Sequence, residues 1–86
     1  MASYKIVLNK RVRKKDIPAI PPKDRVRVIA RIEQLSTNPY SVESTQLKGR
    51  LERRVRQGNY RILYIVEEEI ITVIVVKVGH RRDVYR

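Results

Sequence analysis

The stretch Arg54-Val55-Arg56-Gln57-Gly58-Asn59-Tyr60-Arg61-Ile62-Leu63-Tyr64 decides the fold. Residues 51–56 and 60–66 read as strands on either side of Gln57-Gly58-Asn59, where glycine and asparagine both accept the positive φ of a tight hairpin. With Gly58-Asn59 as a two-residue loop, Gln57 pairs with Tyr60 and Arg56 stands directly across from Arg61. Like charges opposite one another on a sheet are destabilising, by about 0.2–1 kcal/mol, and Arg54 extends the same row. A bound phosphate turns that repulsion into charge-assisted hydrogen bonds, so the row reads as an anion site. For any one of Arg53, Arg54, Arg56 or Arg61 taken alone, the blander reading of a solubilising side chain is the better one. Together they argue for a site. Arg61 is the most telling, because it sits between Tyr60 and Ile62 in an otherwise apolar strand where a guanidinium needs a partner.

Downstream, residues 70–78 are nearly continuous Ile and Val, interrupted by Thr72 and Lys77, which suits a central strand covered on both faces. Glu67-Glu68-Glu69 forms the turn before it and keeps the hairpin soluble. If that turn is a three-residue loop, Val66 pairs with Ile70 and Val75 neighbours Arg61. Odd-numbered positions of the last strand then share the face of Arg61, and Arg81 continues the series toward Arg56. A different loop length reverses this parity.

Upstream, Tyr4, Ile6 and Leu8 alternate with Lys5, Val7 and Asn9 in the period of a strand with one buried face. The side chain of Asn9 is suited to capping a charged helix over 10–17, which Pro18 ends. Pro21 and Pro22 open a second helix over 23–36, with Val28, Ile29, Ile32 and Leu35 on its apolar face. Residues 38–48 read as a surface connection. The expected fold is α+β in the order β-α-α-β-β-β: a small, mainly antiparallel four-stranded sheet with a helical pair packed on one face, forming one domain over 1–86.

Composition narrows the function. Twenty Lys and Arg against nine Asp and Glu give 86 residues a formal charge of +11, which implies an anionic partner such as nucleic acid or an acidic protein segment. Cysteine is absent, which excludes disulfides, thiolate nucleophiles and thiolate metal sites, and the lone His80 removes any two-histidine metal site or acid–base pair. No metal or other cofactor is expected. The first residues lack the pattern of a secretory signal and no apolar run reaches the roughly 18 residues of a membrane span, so a cytoplasmic protein with no membrane role is expected. Tyr4, Tyr60 and Tyr64 read as packing residues, Tyr40 as a loop residue, and His80 as structural or surface more often than catalytic.

Residues 4–8, the two basic helices, Leu47-Lys48-Gly49, the 54–64 stretch and Val78-Gly79-His80-Arg81-Arg82-Asp83-Val84-Tyr85 together resemble the RelE family of bacterial and archaeal toxins. The most specific parts are G-x-Y-R-x-x-Y and the closing V-G-x-R-x-x-x-Y. The resemblance implies a ribosome-dependent mRNA endonuclease that cuts in the A site, held inactive in a heteromeric complex by a co-expressed, RelB-like antitoxin. It implies metal-free transesterification, in which the ribose 2′-hydroxyl attacks the adjacent phosphate to leave a 2′,3′-cyclic phosphate and a free 5′-hydroxyl. By position, Arg61 matches the arginine that stabilises transition-state charge, Arg81 the general acid or leaving-group stabiliser, and Tyr85 the base or its orienter. Arg54 and Arg56 match the cationic strand, with Arg53, His80 and Arg82 as further RNA contacts. Glu52 and His80 stand where lysines are often found in the family, and as a carboxylate and an imidazole they offer an alternative acid–base pair. Two other functions compete: a ParE-like, gyrase-inhibiting toxin, which would lack the Arg and Tyr set, and a non-catalytic basic nucleic-acid-binding module.

Overall fold

The structure, a computed structural model, describes residues 3–80. Its strands are β1 (Lys5–Leu8), β2 (Thr45–Gln46), β3 (Arg53–Gln57), β4 (Tyr60–Glu67) and β5 (Thr72–His80), and its main helix is α1 (Pro22–Gln34). They form one five-stranded sheet in the order β1-β5-β4-β3-β2. Only β1 and β5 run parallel, which the crossover through the helical segments permits; the other three pairings are antiparallel.

The expected strand count and the expected helical pair need correction. The sheet has five strands rather than four, because Thr45 and Gln46, read as part of a surface connection, pair with Arg54 and Arg53 at the β3 edge; it is mainly antiparallel, as expected, and mixed only through the parallel β1–β5 pair. The expected helical pair is one full helix plus a single widened turn over Val12–Asp16, where the Ile17 amide donates to the Val12 carbonyl. Pro18 has no N–H with which to prolong that segment. The Asn9 cap is present: its Oδ1 accepts the Val12 amide at 2.8 Å.

One face of the sheet carries the core. Val55, Ile62 and Val78 are consecutive cross-strand neighbours, as are Leu8, Val75 and Tyr64, and they meet Val12, Ile17, Ile20, Val28, Ile32 and Leu35 from the helical layer. Ile29, expected on the apolar face of α1, is 37% exposed, since it lies one position beyond the stripe formed by Val28, Ile32 and Leu35. The opposite face has no helical layer among the described residues, and Val7, Ile65 and Ile74 are partly exposed there. The expectation that the Ile/Val strand is covered on both faces therefore does not hold for the described residues.

The turn from β4 to β5 spans Glu68–Ile71 rather than three residues, so Val66 pairs with Val73. Ile71 takes a left-handed conformation (φ 46°) and its carbonyl accepts the Lys5 amide, which starts the parallel β1–β5 ladder. Glu68 accepts hydrogen bonds from the hydroxyls of Tyr4, at 2.7 Å, and Tyr40. The carboxylate thus ties β1, the 38–44 connection and the turn together, a role beyond the solubilising one expected of it.

Candidate nucleic-acid interface

The hairpin that carries the cationic row has the expected register: Gln57 pairs with Tyr60 and Arg56 with Arg61. Gly58 takes positive φ (59°), whereas Asn59 does not, as in a turn with the left-handed residue at its first loop position. Cross-strand neighbours share a face, so Arg54, Arg56 and Arg61 project from the side opposite the helices. Directly opposite side chains have Cβ atoms about 5 Å apart, and a hairpin closed by two residues leaves little freedom to separate them.

The partner of Arg61 on β5 is Gly79, not Val75. Two features produce this. The longer turn shifts the register, and a β-bulge follows: Tyr64 pairs with Val75 but Leu63 with Lys77, so Val76 is the extra residue. The bulge returns Lys77 and Gly79 to the face of Arg61, so the expected parity is met there by a different route. Lys77 stands across from Leu63, which stands across from Arg54. Leu63 is only 3% exposed although it lies on the face away from the core, between these two long side chains. Beside the row, Arg54 and Arg56 line a surface cleft with Glu43 and Thr45.

Other sequence-predicted residues stand elsewhere. Arg53 pairs with Tyr64 on the helix-facing side, where its Nε donates to Ser44 Oγ at 2.8 Å and its guanidinium lies 5.1 Å from the centre of the Tyr40 ring. That hydroxyl is also 2.5 Å from the phenol of the fully buried Tyr64, which donates to the Pro39 carbonyl at 2.5 Å. Arg53 thus anchors the 38–44 connection beneath the sheet and does not share the face of the row. His80 pairs with Tyr60, also on the helix-facing side, with ring centres 5.8 Å apart and planes at 79°.

Glu52 accepts a 2.6 Å ion pair from Arg50, whose hydrogen bond holds the carboxyl below its usual pKa. It precedes the Arg53–Tyr64 pair, while His80 adjoins the Gln57–Tyr60 pair about 16 Å away along the ladder. The alternative Glu52–His80 acid–base pair is therefore not assembled. Arg81, Arg82 and Tyr85 lie outside the described residues. Among the described residues, no cluster of three His, Asp or Glu side chains could hold a metal ion.

Asp16 is a residue that sequence reasoning missed. Its side chain is 10% exposed, and Oδ2 accepts the Val78 amide at 3.0 Å. β1 stops at Leu8, opposite Val75, so beyond that point the outer edge of β5 is met by side chains: Asn9 Nδ2 donates to the Val76 carbonyl and Asp16 takes the Val78 N–H. A short basic helix after a strand that ends early was the available signal, because the unpaired edge of a longer neighbour must find partners.

A cationic sheet face with no helical layer over it among the described residues, backed by helices on the other side, defines a small basic α+β protein. Comparison with known proteins gives the family. The family model described as the ParE toxin of the type II toxin-antitoxin system, parDE, matches residues 8–85. Toxin RelG of Mycobacterium tuberculosis is 30% identical over 79 residues, covering 85% of this chain and 86% of that protein. The toxin-antitoxin complex RelBE2 of the same organism contains a chain with TM-score 0.84 and 28% identity, covering 96% of this chain and 97% of that one. The RelB-RelE antitoxin-toxin complex of Methanococcus jannaschii contains one with TM-score 0.71 and 30% identity, covering 92% and 94%. The chain belongs to the RelE family of type II toxins, within the RelE/ParE superfamily.

Proposed function

We propose that this toxin is a ribosome-dependent endoribonuclease that cleaves mRNA in the A site by internal attack of the 2′-hydroxyl. The observation that carries the reading is the register-fixed row of Arg54, Arg56 and Arg61 on the face that the helices leave uncovered. In the reaction the 2′-oxygen bonds to phosphorus as its proton passes to a base. The P–O5′ bond then breaks, and the departing oxygen gains a proton. Charge on the phosphorane oxygens peaks in between, and preorganised guanidinium groups stabilise it most where water is scarce. Arg61, half-buried and opposite the exposed Arg56, takes that role, while Arg54 and Arg56 hold the RNA backbone. The family resemblance assigns Arg81 to the leaving oxygen and Tyr85 to the 2′-hydroxyl. An unperturbed phenol titrates near 10, and a cationic setting lowers that value, the direction a base at neutral pH needs.

The partner is a RelB-like antitoxin, as in the RelBE complexes above, with acidic or amphipathic segments that cover the basic face in a heteromeric complex. A toxin acting on translating ribosomes would work in the cytoplasm. The ParE name of the matching family model favours one second reading, gyrase inhibition. Inducing the chain alone and with its genomic neighbour, then mapping mRNA 5′ ends on translating ribosomes, separates the two. Codon-phased cuts that vanish in Arg61→Ala and Arg81→Ala, both folded by circular dichroism, support the nuclease. Retained cleavage in both variants removes the mechanism, and gyrase-dependent DNA breaks without mRNA cuts support the other branch.

A further inference from the structure

Glu43 stands where two surface clefts meet. One, of about 260 Å³, is lined by Arg31 and Gln34 of α1. The other, of about 370 Å³, is lined by Thr45, Arg54 and Arg56, and Glu43 is its one acidic side chain. The carboxylate is drawn to the first: its Oε2 accepts Arg31 Nη1 at 2.6 Å. Arg31 is itself steadied, because its Nε donates to Gln57 Oε1 at 3.2 Å, and Gln57 follows Arg56 on β3. The backbone beside Glu43 is fixed as well. Ser44 is buried, its hydroxyl hydrogen-bonded to Tyr64 and Arg53 and its amide donating to the Ser41 carbonyl. The rotamer of Glu43 then decides which cleft its charge occupies. With its side chain 58% exposed, burial does not hold the carboxylate in place, and the ion pair with Arg31 does.

A carboxylate turned into the second cleft would offer Arg56 the same paired, charge-assisted hydrogen bonds that a phosphate offers, and would compete for it. We propose that Arg31 is a positioning residue for the phosphate site: it holds the Glu43 carboxylate at the edge of the sheet and so keeps this anion off Arg56. The inference rests on the arginine row being the phosphate site. Arg31 also attracts RNA through its own charge, but that attraction is the same whether residue 43 is Glu or Gln, so a double-variant cycle separates the two effects.

The full chain is titrated calorimetrically, in about 0.1 M salt, with a 2′-O-methyl tetraribonucleotide, which lacks the attacking hydroxyl. An exposed carboxylate–guanidinium pair shifts an equilibrium by up to about fivefold, so Arg31→Ala should weaken binding about three- to fivefold. In a Glu43→Gln background the same substitution should cost less than about twofold, the screened share of the Arg31 charge itself. Arg31→Lys, which keeps a cation within reach of Glu43, should retain most of the wild-type affinity. In the free protein, Arg31→Ala should shift the Arg56 Nε–H resonance, and adding Glu43→Gln should restore it. Amide spectra of each variant confirm folding. The positioning role is overturned if Arg31→Ala costs the same in both backgrounds, if it costs nothing while Glu43 is present, if Arg31→Lys loses as much as Arg31→Ala, or if the Arg56 resonance does not move. A tetranucleotide bound equally well by Arg56→Ala refutes the arginine row, and with it the reading beneath this inference. A loss in Arg56→Ala together with equal costs in the two backgrounds leaves the row standing and removes only the role of Arg31.

Discussion

The pairing of Arg56 with Arg61 predicts a folding penalty that the protein carries for its site. Two unit charges about 7 Å apart repel by about 0.6 kcal/mol in bulk water and by about 2 kcal/mol at the effective dielectric of a protein surface. Cross-strand like-charge pairs fall at the lower end of that range, so a repulsion of about 0.5–1 kcal/mol is expected at low salt. At 0.15 M salt the Debye length is about 8 Å, which cuts the interaction to less than half. Urea unfolding of the wild type, Arg56→Gln, Arg61→Gln and the double variant closes a cycle that isolates the pair from every other contact each arginine makes. The expected coupling is repulsive, shrinks with sodium chloride, and disappears in millimolar phosphate as the anion bridges the two groups. Both single variants should also lose ribosomal cleavage. An attractive or salt-independent coupling would refute the reasoning, because the two guanidinium groups would then not share one anion-sized space.

Tyr64→Phe removes a buried phenol that serves Pro39 and Ser44, and should cost about 1–2 kcal/mol, a fall in Tm of roughly 4–16 °C for a chain of this size; a change below about 0.3 kcal/mol would contradict the network. Asp16→Ala should cost about 1–3 kcal/mol and speed hydrogen exchange at the Val78 amide, with Asp16→Asn recovering most of both. At the Glu68 junction, hydrogen bonds from Tyr40 and Tyr4 hold the carboxyl below its usual pKa, so its contribution is complete above about pH 4.5 and is lost as pH falls through the lowered folded value. The Tyr40 phenol, bonded to that carboxylate, is pushed up to about 12, so its share is complete below pH 10 and is lost as pH rises from 10 to about 12. Thermal melts across both windows should show each loss in the wild type, and Tyr40→Phe should flatten the alkaline one.

Much of this was legible in the chain because it is local. The hairpin follows from Gly58 and the alternation beside it, and with it the face shared by Arg54, Arg56 and Arg61. The stripe Val28, Ile32 and Leu35 placed α1, and Asn9 announced its cap. What escaped depends on non-local contacts. Nothing in Thr45-Gln46 marks a strand; the two residues pair because the β3 edge offers unpaired groups. The extra residue at Val76 sits within a run of β-branched side chains that looks the same with or without a bulge, so no spacing rule reveals it. Arg53 and Arg54 are neighbours in sequence with opposite fates, one stacked on Tyr40 beneath the sheet and the other on the open face. Only the alternation of the strand separates them, and composition cannot. Arg81 and Tyr85 rest on motif resemblance, beyond the residues whose geometry is described.

The surplus residue at Val76 works as a half-step phase shift in the last strand. Before it, odd positions point inward; after it, even ones do. Ironing out the bulge with all residues kept would turn the strand's final segment over, carrying Val78 into solvent and Gly79 toward the helices, whereas deleting Val76 would leave a regular strand with both faces unchanged. The two ends of one strand thus follow separate rules, one for the interior and one for the site, and a one-residue slip is all that keeps them compatible.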